Sequence, residues 1–195
     1  MVTLFSTFYS FTPLVSAVHR FSPKKIVLLV SKESLEKEEV KDNISKVKEV
    51  FADVSEIQIV SIKCDNIFNI AKATVAELEN YENGVIMNFS GGSKFFAFGV
   101  CYGCYARSEK VSKMVCTNLD NNKIEDIPKL SLQVSKKQRA VLEQIAKRKS
   151  ESIYEIAEKM KKSKAIIYQH LKDLRDNGYV TDDFYITDVG RLVLL

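Results

Sequence analysis

The sequence predicts an α/β fold in two parts, a mostly parallel sheet domain followed by a smaller, mostly helical domain. Strand-like and helix-like segments alternate along roughly the first two thirds of the 195 residues. Such alternation is typical of a parallel sheet with helices between its strands. After residue 128 it gives way to closely spaced amphipathic helices. We therefore divide the chain into a sheet domain at 1–128, a linker at 129–134 and a second domain at 135–195.

Five segments of the first part have the pattern of strands, and they are residues 2–8, 25–31, 56–62, 85–89 and 113–118. The second of them, KIVLLVS, is a continuous apolar run, as expected for a strand that helices cover on both faces. The predicted sheet is Rossmann-like. It lacks a dinucleotide motif, because no GxGxxG follows the first strand.

Helices are predicted between these strands, at residues 12–21, 34–51, 67–81 and 93–107. The first begins with a threonine followed by proline, a residue that is favoured at the first helical position. The second repeats its apolar residues every three to four positions, which is the spacing of a helix with one buried face. Residues 123–130, KIEDIPKL, are expected to end the sheet domain.

The remaining residues predict three helices, at 135–149, 152–160 and 163–178, then a small hairpin at 179–187 and a last helix. A serine begins the third helix and Gly178 ends it. The order of helix, tight turn, helix and two-stranded wing matches a winged helix-turn-helix. In that motif the third helix enters the major groove of DNA.

The third helix has a polar outer face opposite Ile167, Leu171 and Leu174. Lysines on such a face neutralise phosphates, while glutamine and tyrosine reach base edges. The predicted DNA-binding residues, including two in the preceding turn, are Lys161, Lys162, Ser163, Lys164, Tyr168, Gln169 and Lys172. The alternative is an ordinary solvated face, since lysine-rich outer faces are common. Asp182 and Asp183 at the wing tip would repel phosphates, so we expect the wing to add little affinity.

The net charge is concentrated in the second part of the chain. Residues 131–195 contain 13 Lys and Arg against 9 Asp and Glu, whereas residues 1–130 contain 16 of each kind. A basic excess in the segment with the helix-turn-helix pattern favours a polyanion partner, here double-stranded DNA. A two-fold dimer would read a palindromic operator.

The segment NFSGGSK, residues 88–94, places two of the seven glycines between a predicted strand and a predicted helix. Glycines let successive backbone N–H groups point at one place, and a helix N-terminus favours anions. Serine hydroxyls and the Lys94 charge add to this, so we expect a phosphate-bearing ligand. The alternative is a tight turn that only starts the helix.

NFSGGSK resembles the signature of CARF domains, the CRISPR-associated Rossmann-fold sensors, and LFSTFYSF at residues 4–11 resembles their other ligand loop. A CARF domain followed by a winged helix-turn-helix is the arrangement of CRISPR-associated transcriptional regulators, found mostly in archaea. The resemblance covers essentially the whole chain. It implies a homodimer that binds a cyclic oligoadenylate, most often cyclic tetra-adenylate, across the two-fold axis.

The resemblance also assigns residues to that ligand. Both glycine-loop and first-strand residues would face its phosphates. Asp65 and Asn66 lie by position on the same sheet edge and could contact adenine or ribose. Phe8, Phe95 and Phe96 could stack on a base, but aromatic residues next to a glycine turn more often belong to the core. The predicted ligand-binding residues are Ser6, Thr7, Phe8, Asp65, Asn66, Asn88, Ser90, Gly91, Gly92, Ser93 and Lys94.

Two alternative functions stay open at this point. Some CARF domains cleave their ligand, and Lys94 and Ser6 would then stabilise the transition-state charge; binding without a catalytic residue is the main expectation. A redox- or metal-responsive repressor would use Cys101 and Cys104, a CxxC. That pair falls in an apolar helical segment without a second CxxC, so we expect packing, with no metal and no cofactor.

Membrane and export signals are weak. No apolar run reaches the roughly 18 residues of a membrane span, and the apolar N-terminus has no basic n-region and is broken by Pro13. The four cysteines are expected to be reduced thiols. These features predict a cytoplasmic protein without a membrane partner.

Overall fold

The computed structural model describes residues 2–82, 84–118, 123–128, 134–147 and 152–195. The chain forms two compact units, Met1–Ser131 and Leu132–Leu195. Except for Val134, the predicted linker at 129–134 lies outside the described residues. No helix in the described ranges is long and apolar enough to cross a membrane.

The first unit contains a six-stranded sheet in the order β3-β2-β1-β4-β5-β6. The strands are β1 (Thr3–Thr7), β2 (Lys25–Ser31), β3 (Glu56–Ile62), β4 (Val85–Asn88), β5 (Val111–Asn118) and β6 (Lys123–Ile127). The first five run parallel, which confirms the predicted Rossmann-like sheet. The segment predicted only to end the domain instead adds β6, which pairs antiparallel with β5 at the edge.

Helices connect the parallel strands, and they are α1 (Thr12–Phe21), α2 (Lys32–Leu35), α3 (Glu38–Phe51), α4 (Ile67–Leu78) and α5 (Lys94–Ala106). The single helix predicted at 34–51 was wrong, because it is two helices. The Ser31 side chain accepts a hydrogen bond from the Ser34 N–H and starts α2 directly after β2. Lys37 then has extended backbone angles, so the chain begins α3 anew.

Helices cover both faces of the sheet, as the continuous apolar strands require. On one face, Leu4, Ile26 and Leu28 pack in a core with residues of α1 and α3. On the other face, Phe5 and Val27 pack in a core with residues of α4 and α5. Side chains alternate along a strand, so consecutive residues such as Leu4 and Phe5 pack into opposite helix layers.

The second unit consists of α6 (Lys136–Lys147), α7 (Ile153–Lys159), α8 (Lys164–Asp176) and α9 (Asp188–Leu194) around its own apolar core. The predicted two-stranded wing is reduced to one bridge, between Val180 and Ile186. The loop between them closes tightly, since the Thr181 N–H donates to the Tyr185 carbonyl at 2.8 Å. Phe184 has a left-handed φ of 58°, and this turn leaves too few extended residues for a ladder.

Helices α4 and α5 pack at close range because α5 presents glycines to α4. A Cβ atom at Gly99 would lie 2.5 Å from the Cβ of Ile70, and one at Gly103 would lie 2.7 Å from the Cβ of Thr74. The Gly103 position also faces the Ala71 carbonyl oxygen at 2.8 Å. Backbone cannot move aside as a side chain can, so this contact fixes where α5 lies.

We predict that Gly103→Val destabilises the first unit by about 2 kcal/mol, because an overpacked core forces backbone shifts. Ala76→Val is a matched control, since Ala76 is exposed on α4 and should cost only the lower helix propensity of valine, about 0.6 kcal/mol. Urea denaturation followed by circular dichroism measures both. Equal stability of the two variants would contradict the close packing.

Candidate functional site

The candidate site lies where the sheet changes direction. From β1 the chain proceeds outward through β2 and β3 on one side, and through β4 and β5 on the other. Ligands of open α/β sheets bind in the crevice at the carboxyl ends of strands at such a switch point. Ser6 and Thr7 end β1, Asn88 ends β4, and Ser6 and Asn88 are register partners. The fold thus brings the two predicted ligand loops together.

A chain of hydrogen bonds joins these strand ends. The Thr117 N–H donates to the Ser90 hydroxyl oxygen at 2.7 Å, and the Ser90 hydroxyl donates to the Asn88 side-chain carbonyl oxygen. The Asn88 amide group donates to the Ser6 hydroxyl oxygen at 3.0 Å, and the Ser6 hydroxyl donates to the Thr7 carbonyl oxygen at 3.0 Å. The chain crosses from β5 through β4 to β1.

Several of the predicted ligand residues are buried. Ser6, Thr7 and Asn88 are at most 1% exposed, so their side chains hold the strand ends together beneath the loop. Phe8 is also 1% exposed and packs in the core over α1 and α3. Of the two alternatives for this ring, its burial favours core packing over stacking on a base.

The two glycines meet two different steric demands. A Cβ atom at Gly91 would lie 2.5 Å from the Thr7 carbonyl oxygen, which is shorter than any ordinary contact. The Gly91 N–H also donates to the Thr7 hydroxyl oxygen at 3.3 Å. Gly92 has a φ of 78°, in the left-handed region that favours glycine. The loop therefore approaches β1 through Gly91 and turns at Gly92.

After this turn the chain presents an exposed cationic helix start. The Ser93 hydroxyl oxygen accepts a hydrogen bond from the Phe96 N–H at 3.2 Å and caps α5. Gly92, Ser93 and Lys94 are exposed. Lys94 has no ion-pair partner within the described ranges. Its charge adds to the positive end of the α5 dipole, so the edge of the crevice favours an anion.

Asp65 and Asn66 follow β3, two strands away from β1, or about 10 Å at the usual strand spacing. The Asn66 side chain accepts from the Asn69 N–H at 2.9 Å and caps α4. Hydrogen bonds from the Asn69 side chain and the Asn66 N–H lower the pKa of Asp65. Both residues are exposed at the sheet edge but already serve the start of α4, and the structure does not bring them next to the glycine loop.

Sequence reasoning named Phe95 as a ring that could stack on a base, but it missed the exposed aromatic face of α5 to which Phe95 belongs. Phe95, Phe98 and Tyr102 are 45%, 59% and 38% exposed. They follow one another by three and four residues and so share one side of the helix, whereas Phe96 is buried. The spacing was visible in KFFAFGVCY, but it does not tell which aromatic faces the core.

The cysteines pack as small apolar residues. Cys104 is fully buried, and burial raises the pKa of its thiol well above the ordinary value. Burial also raises the pKa of Cys101. A raised pKa disfavours the thiolate that reacts with oxidants and binds metals. The described residues contain no cluster of three or more His, Cys, Asp or Glu that could hold a metal ion.

The predicted DNA-binding residues share one exposed surface of the second unit. Ser163 caps α8, and its hydroxyl oxygen accepts from the Ile166 N–H. All seven predicted residues are exposed, while Ile167, Leu171 and Leu174 are buried. Tyr168 also contacts the loop after α8, with its ring 6.1 Å from that of Phe184. Gln169 donates to Asp173 at 2.9 Å, so a base would have to compete for its amide group.

Tyr154 extends this surface and was not predicted. It is 48% exposed on α7, and the Lys164 ammonium lies 3.9 Å from the centre of its ring. A cation over an aromatic face is attracted by the ring electrons. The ring thus holds the lysine at the start of α8. Sequence alone gives no signal for a contact between these two helices.

A family comparison matches part of the second unit. Residues 135–182 match the family described as bacterial regulatory protein, arsR family. The match covers α6 to the loop after α8, which are the elements predicted to form the helix-turn-helix. No curated protein sequence matches the chain.

Two solved structures are similar to this chain. Csm6 from Enterococcus italicus, bound to cyclic hexa-2'-fluoro-hexa-dAMP, has a TM-score of 0.51 and 13% identity over 74% of this chain and 44% of that one. Can2 from Sulfobacillus thermosulfidooxidans, in complex with cyclic tetra-adenylate, has a TM-score of 0.48 and 14% identity over 99% of this chain and 56% of that one. This chain thus spans about half the length of each.

The chain therefore joins a Rossmann-like domain to a helix-turn-helix of the arsR type. This is the architecture that the CARF resemblance predicted, and the prediction is confirmed. Csm6 shares the fold over 74% of this chain.

We predict that Asn88→Ala destabilises the first unit by about 2 kcal/mol, because it removes the two hydrogen bonds that the buried Asn88 side chain makes to the hydroxyls of Ser6 and Ser90. Asn69→Ala is the control, since Asn69 is exposed and bonds to the exposed Asp65. Chemical denaturation compares the two. If Asn88→Ala costs no more than Asn69→Ala, the hydrogen-bond chain does not hold the strand ends.

Proposed function

We propose that this protein is a ligand-responsive transcriptional regulator of CRISPR-Cas genes. Its first unit binds a cyclic oligoadenylate and its second unit binds operator DNA. The observation that carries the proposal is the exposed start of α5 at the sheet switch point, with Lys94 and Gly92 at its edge. The shared fold with Csm6, solved with a cyclic oligonucleotide, supports a ligand of this class. Cyclic tetra-adenylate is the ligand most often bound by the family that the motifs resemble.

The geometry supports two different roles for the residues of the proposed site. Backbone N–H groups of the glycine loop, the capped α5 N-terminus and Lys94 supply the positive potential that phosphates require. Ser6, Thr7 and Asn88 hold the loop in place from below, since their side chains are buried. The Ser6 hydroxyl is already bonded on both sides, so ligand binding, rather than ligand cleavage by Lys94 and Ser6, is the function that this arrangement supports.

We predict that calorimetric titration with cyclic tetra-adenylate shows one ring per two chains, and that linear tetra-adenylate binds more weakly. Lys94→Ala should weaken the cyclic ligand about 10- to 100-fold, the effect of losing a charge-assisted contact. Lys72→Ala removes an equivalent exposed charge from α4 and should have no effect. Unchanged affinity in Lys94→Ala would remove the loop from the binding site.

The same proposal includes a homodimer, in which a second copy covers the aromatic face of α5. Contiguous exposed apolar side chains mark interaction surfaces, and Phe95, Phe98 and Tyr102 form such a stripe. The stripe begins beside Lys94, so pairing along α5 would bring two cationic loops to one ring. A ring with a two-fold axis requires contacts repeated in this way.

We predict that Phe98→Asp converts the dimer to monomers, because a pair of buried charges would face each other across the axis. Light scattering after size-exclusion chromatography measures the mass. Val54→Asp serves as the control, since Val54 is 60% exposed but lies after α3. A Phe98→Asp protein that stays dimeric would place the interface elsewhere.

DNA binding is proposed for the exposed face of α8 and the turn before it. Lys164 and Lys172 are exposed there, and the match to the arsR family covers this helix. In a two-fold dimer, the two copies of α8 would read a palindromic operator with half-sites about one helical turn, or a multiple of it, apart.

We predict that the double variant Lys164→Ala, Lys172→Ala makes the negative slope of log affinity against log salt less steep by about two. This is nearly one for each lost phosphate contact. A mixed-sequence duplex suffices, because this electrostatic part of binding does not depend on sequence. The control removes Lys46 and Lys48, two exposed charges of α3. An equal change in both double variants would show that net charge, and not this face, binds DNA.

A further inference from the structure

The second unit contains a cavity to which the proposed function assigns no ligand, although two of its lining residues, Lys162 and Gln169, also belong to the proposed DNA-binding face. It lies between α6 and α8, beside the turn that precedes α8, and has a volume of about 540 Å³. Cavities of roughly 300 to 1,000 Å³ are typical of small-molecule sites. All of its lining residues belong to this unit.

The interior of the cavity is apolar. Val141 and Ile167, which are 1% and 0% exposed, form part of its lining together with the flexible side chain of Met160. Methionine adapts its shape to the partner it contacts. An interior of this kind binds a hydrocarbon chain or ring by removing apolar surface from water.

The rim of the cavity is cationic. Lys136, Lys137 and Lys162 line it and are all exposed, and none has an ion-pair partner within the described parts of the chain. The lining includes no acidic side chain. The nearest carboxylate along α8 is that of Asp173, which accepts the hydrogen bond of Gln169. Three unpaired cations beside an apolar interior complement a molecule with an apolar body and a negative head.

His170 adds a polar group that lacks a partner. Its Nδ1 atom is buried and has no hydrogen-bond partner among the described residues, although His170 lines the cavity. Buried polar atoms of proteins are nearly always hydrogen-bonded, so an unpaired one requires an explanation. Because Nδ1 is buried, the His170 ring would have to turn toward the cavity for a ligand head group to supply that partner.

We propose that this cavity is a binding site for an amphipathic carboxylate of medium chain length. The hydrocarbon chain lies against Val141, Met160 and Ile167, and the carboxylate lies at the lysine rim within reach of His170. The site is independent of the cyclic-nucleotide site, because every group that forms it belongs to the second unit.

The test is a calorimetric titration of the full chain with octanoate, octanol and octylammonium. These probes share a chain length and differ in the charge of the head. We expect one octanoate per chain, octanol binding that is about three- to tenfold weaker, and octylammonium binding weaker still. No octanoate binding at millimolar concentration overturns the proposal. Equal affinity for octanoate and octanol overturns the part assigned to the lysines.

Matched variants locate the site. Ala140→Leu fills the cavity, since Ala140 lines it, and should abolish octanoate binding. Ala146→Leu makes the same change at an exposed position of α6 and should leave binding unchanged. Lys136→Gln with Lys137→Gln should weaken octanoate about three- to tenfold and spare octanol, while Lys147→Gln should do neither.

A second copy of the chain could occupy this groove instead of a small molecule, and light scattering of Ala140→Leu tests for it. If octanoate fails to bind the unaltered chain and Ala140→Leu changes the oligomeric state, the groove belongs to a second copy of the chain and the proposal is overturned. If Ala140→Leu does not fold, as circular dichroism would show, the lysine double variant still decides the result.

Discussion

The loop after β4 can reach the end of β1 only because residue 91 has no side chain, since a Cβ atom there would lie 2.5 Å from the Thr7 carbonyl oxygen. The rest of the site depends on this approach. It closes the loop over Asn88, whose amide group bonds to Ser6 across the two strands. Gly92 then turns the chain, Ser93 caps α5, and Lys94 becomes exposed. An exposed cationic helix start at the switch point follows from the two glycines acting in sequence.

Much of the fold could be predicted because buried parallel strands have a distinct composition. The run 25–31 is apolar throughout and lies in the sheet as predicted. The edge strand β6 was missed because most of its residues are polar and exposed, a pattern that is also typical of a loop. The break before α3 was missed because the residues on both sides of Lys37 are mostly polar and suit a helix. Nothing in the sequence there marks the end of one helix and the start of the next.

The sequence predicted that the loops after β1 and β4 lie together, but it did not predict what their side chains contact. Polar residues at strand ends, such as Ser6 and Asn88, look alike in sequence whether they bond to a ligand or to each other. Here they bond to each other. Phe8 and Phe98 could not be told apart as core and surface, since that depends on which layer packs above them. Tertiary packing, which the sequence pattern does not show, determines what a polar or aromatic residue contacts.

In the proposed account, one chain binds two polyanions at two surfaces, and binding at one surface changes the free energy of binding at the other. Such coupling is reciprocal by thermodynamic necessity. The most direct measurement is the affinity of the full chain for an operator obtained by in vitro selection, at fixed salt, with and without saturating cyclic tetra-adenylate. The account predicts that affinity changes by about fivefold or more, typical of allosteric coupling, and that operator DNA changes cyclic tetra-adenylate affinity by the same factor. Equal DNA affinity with and without the ligand, while both bind, would contradict it.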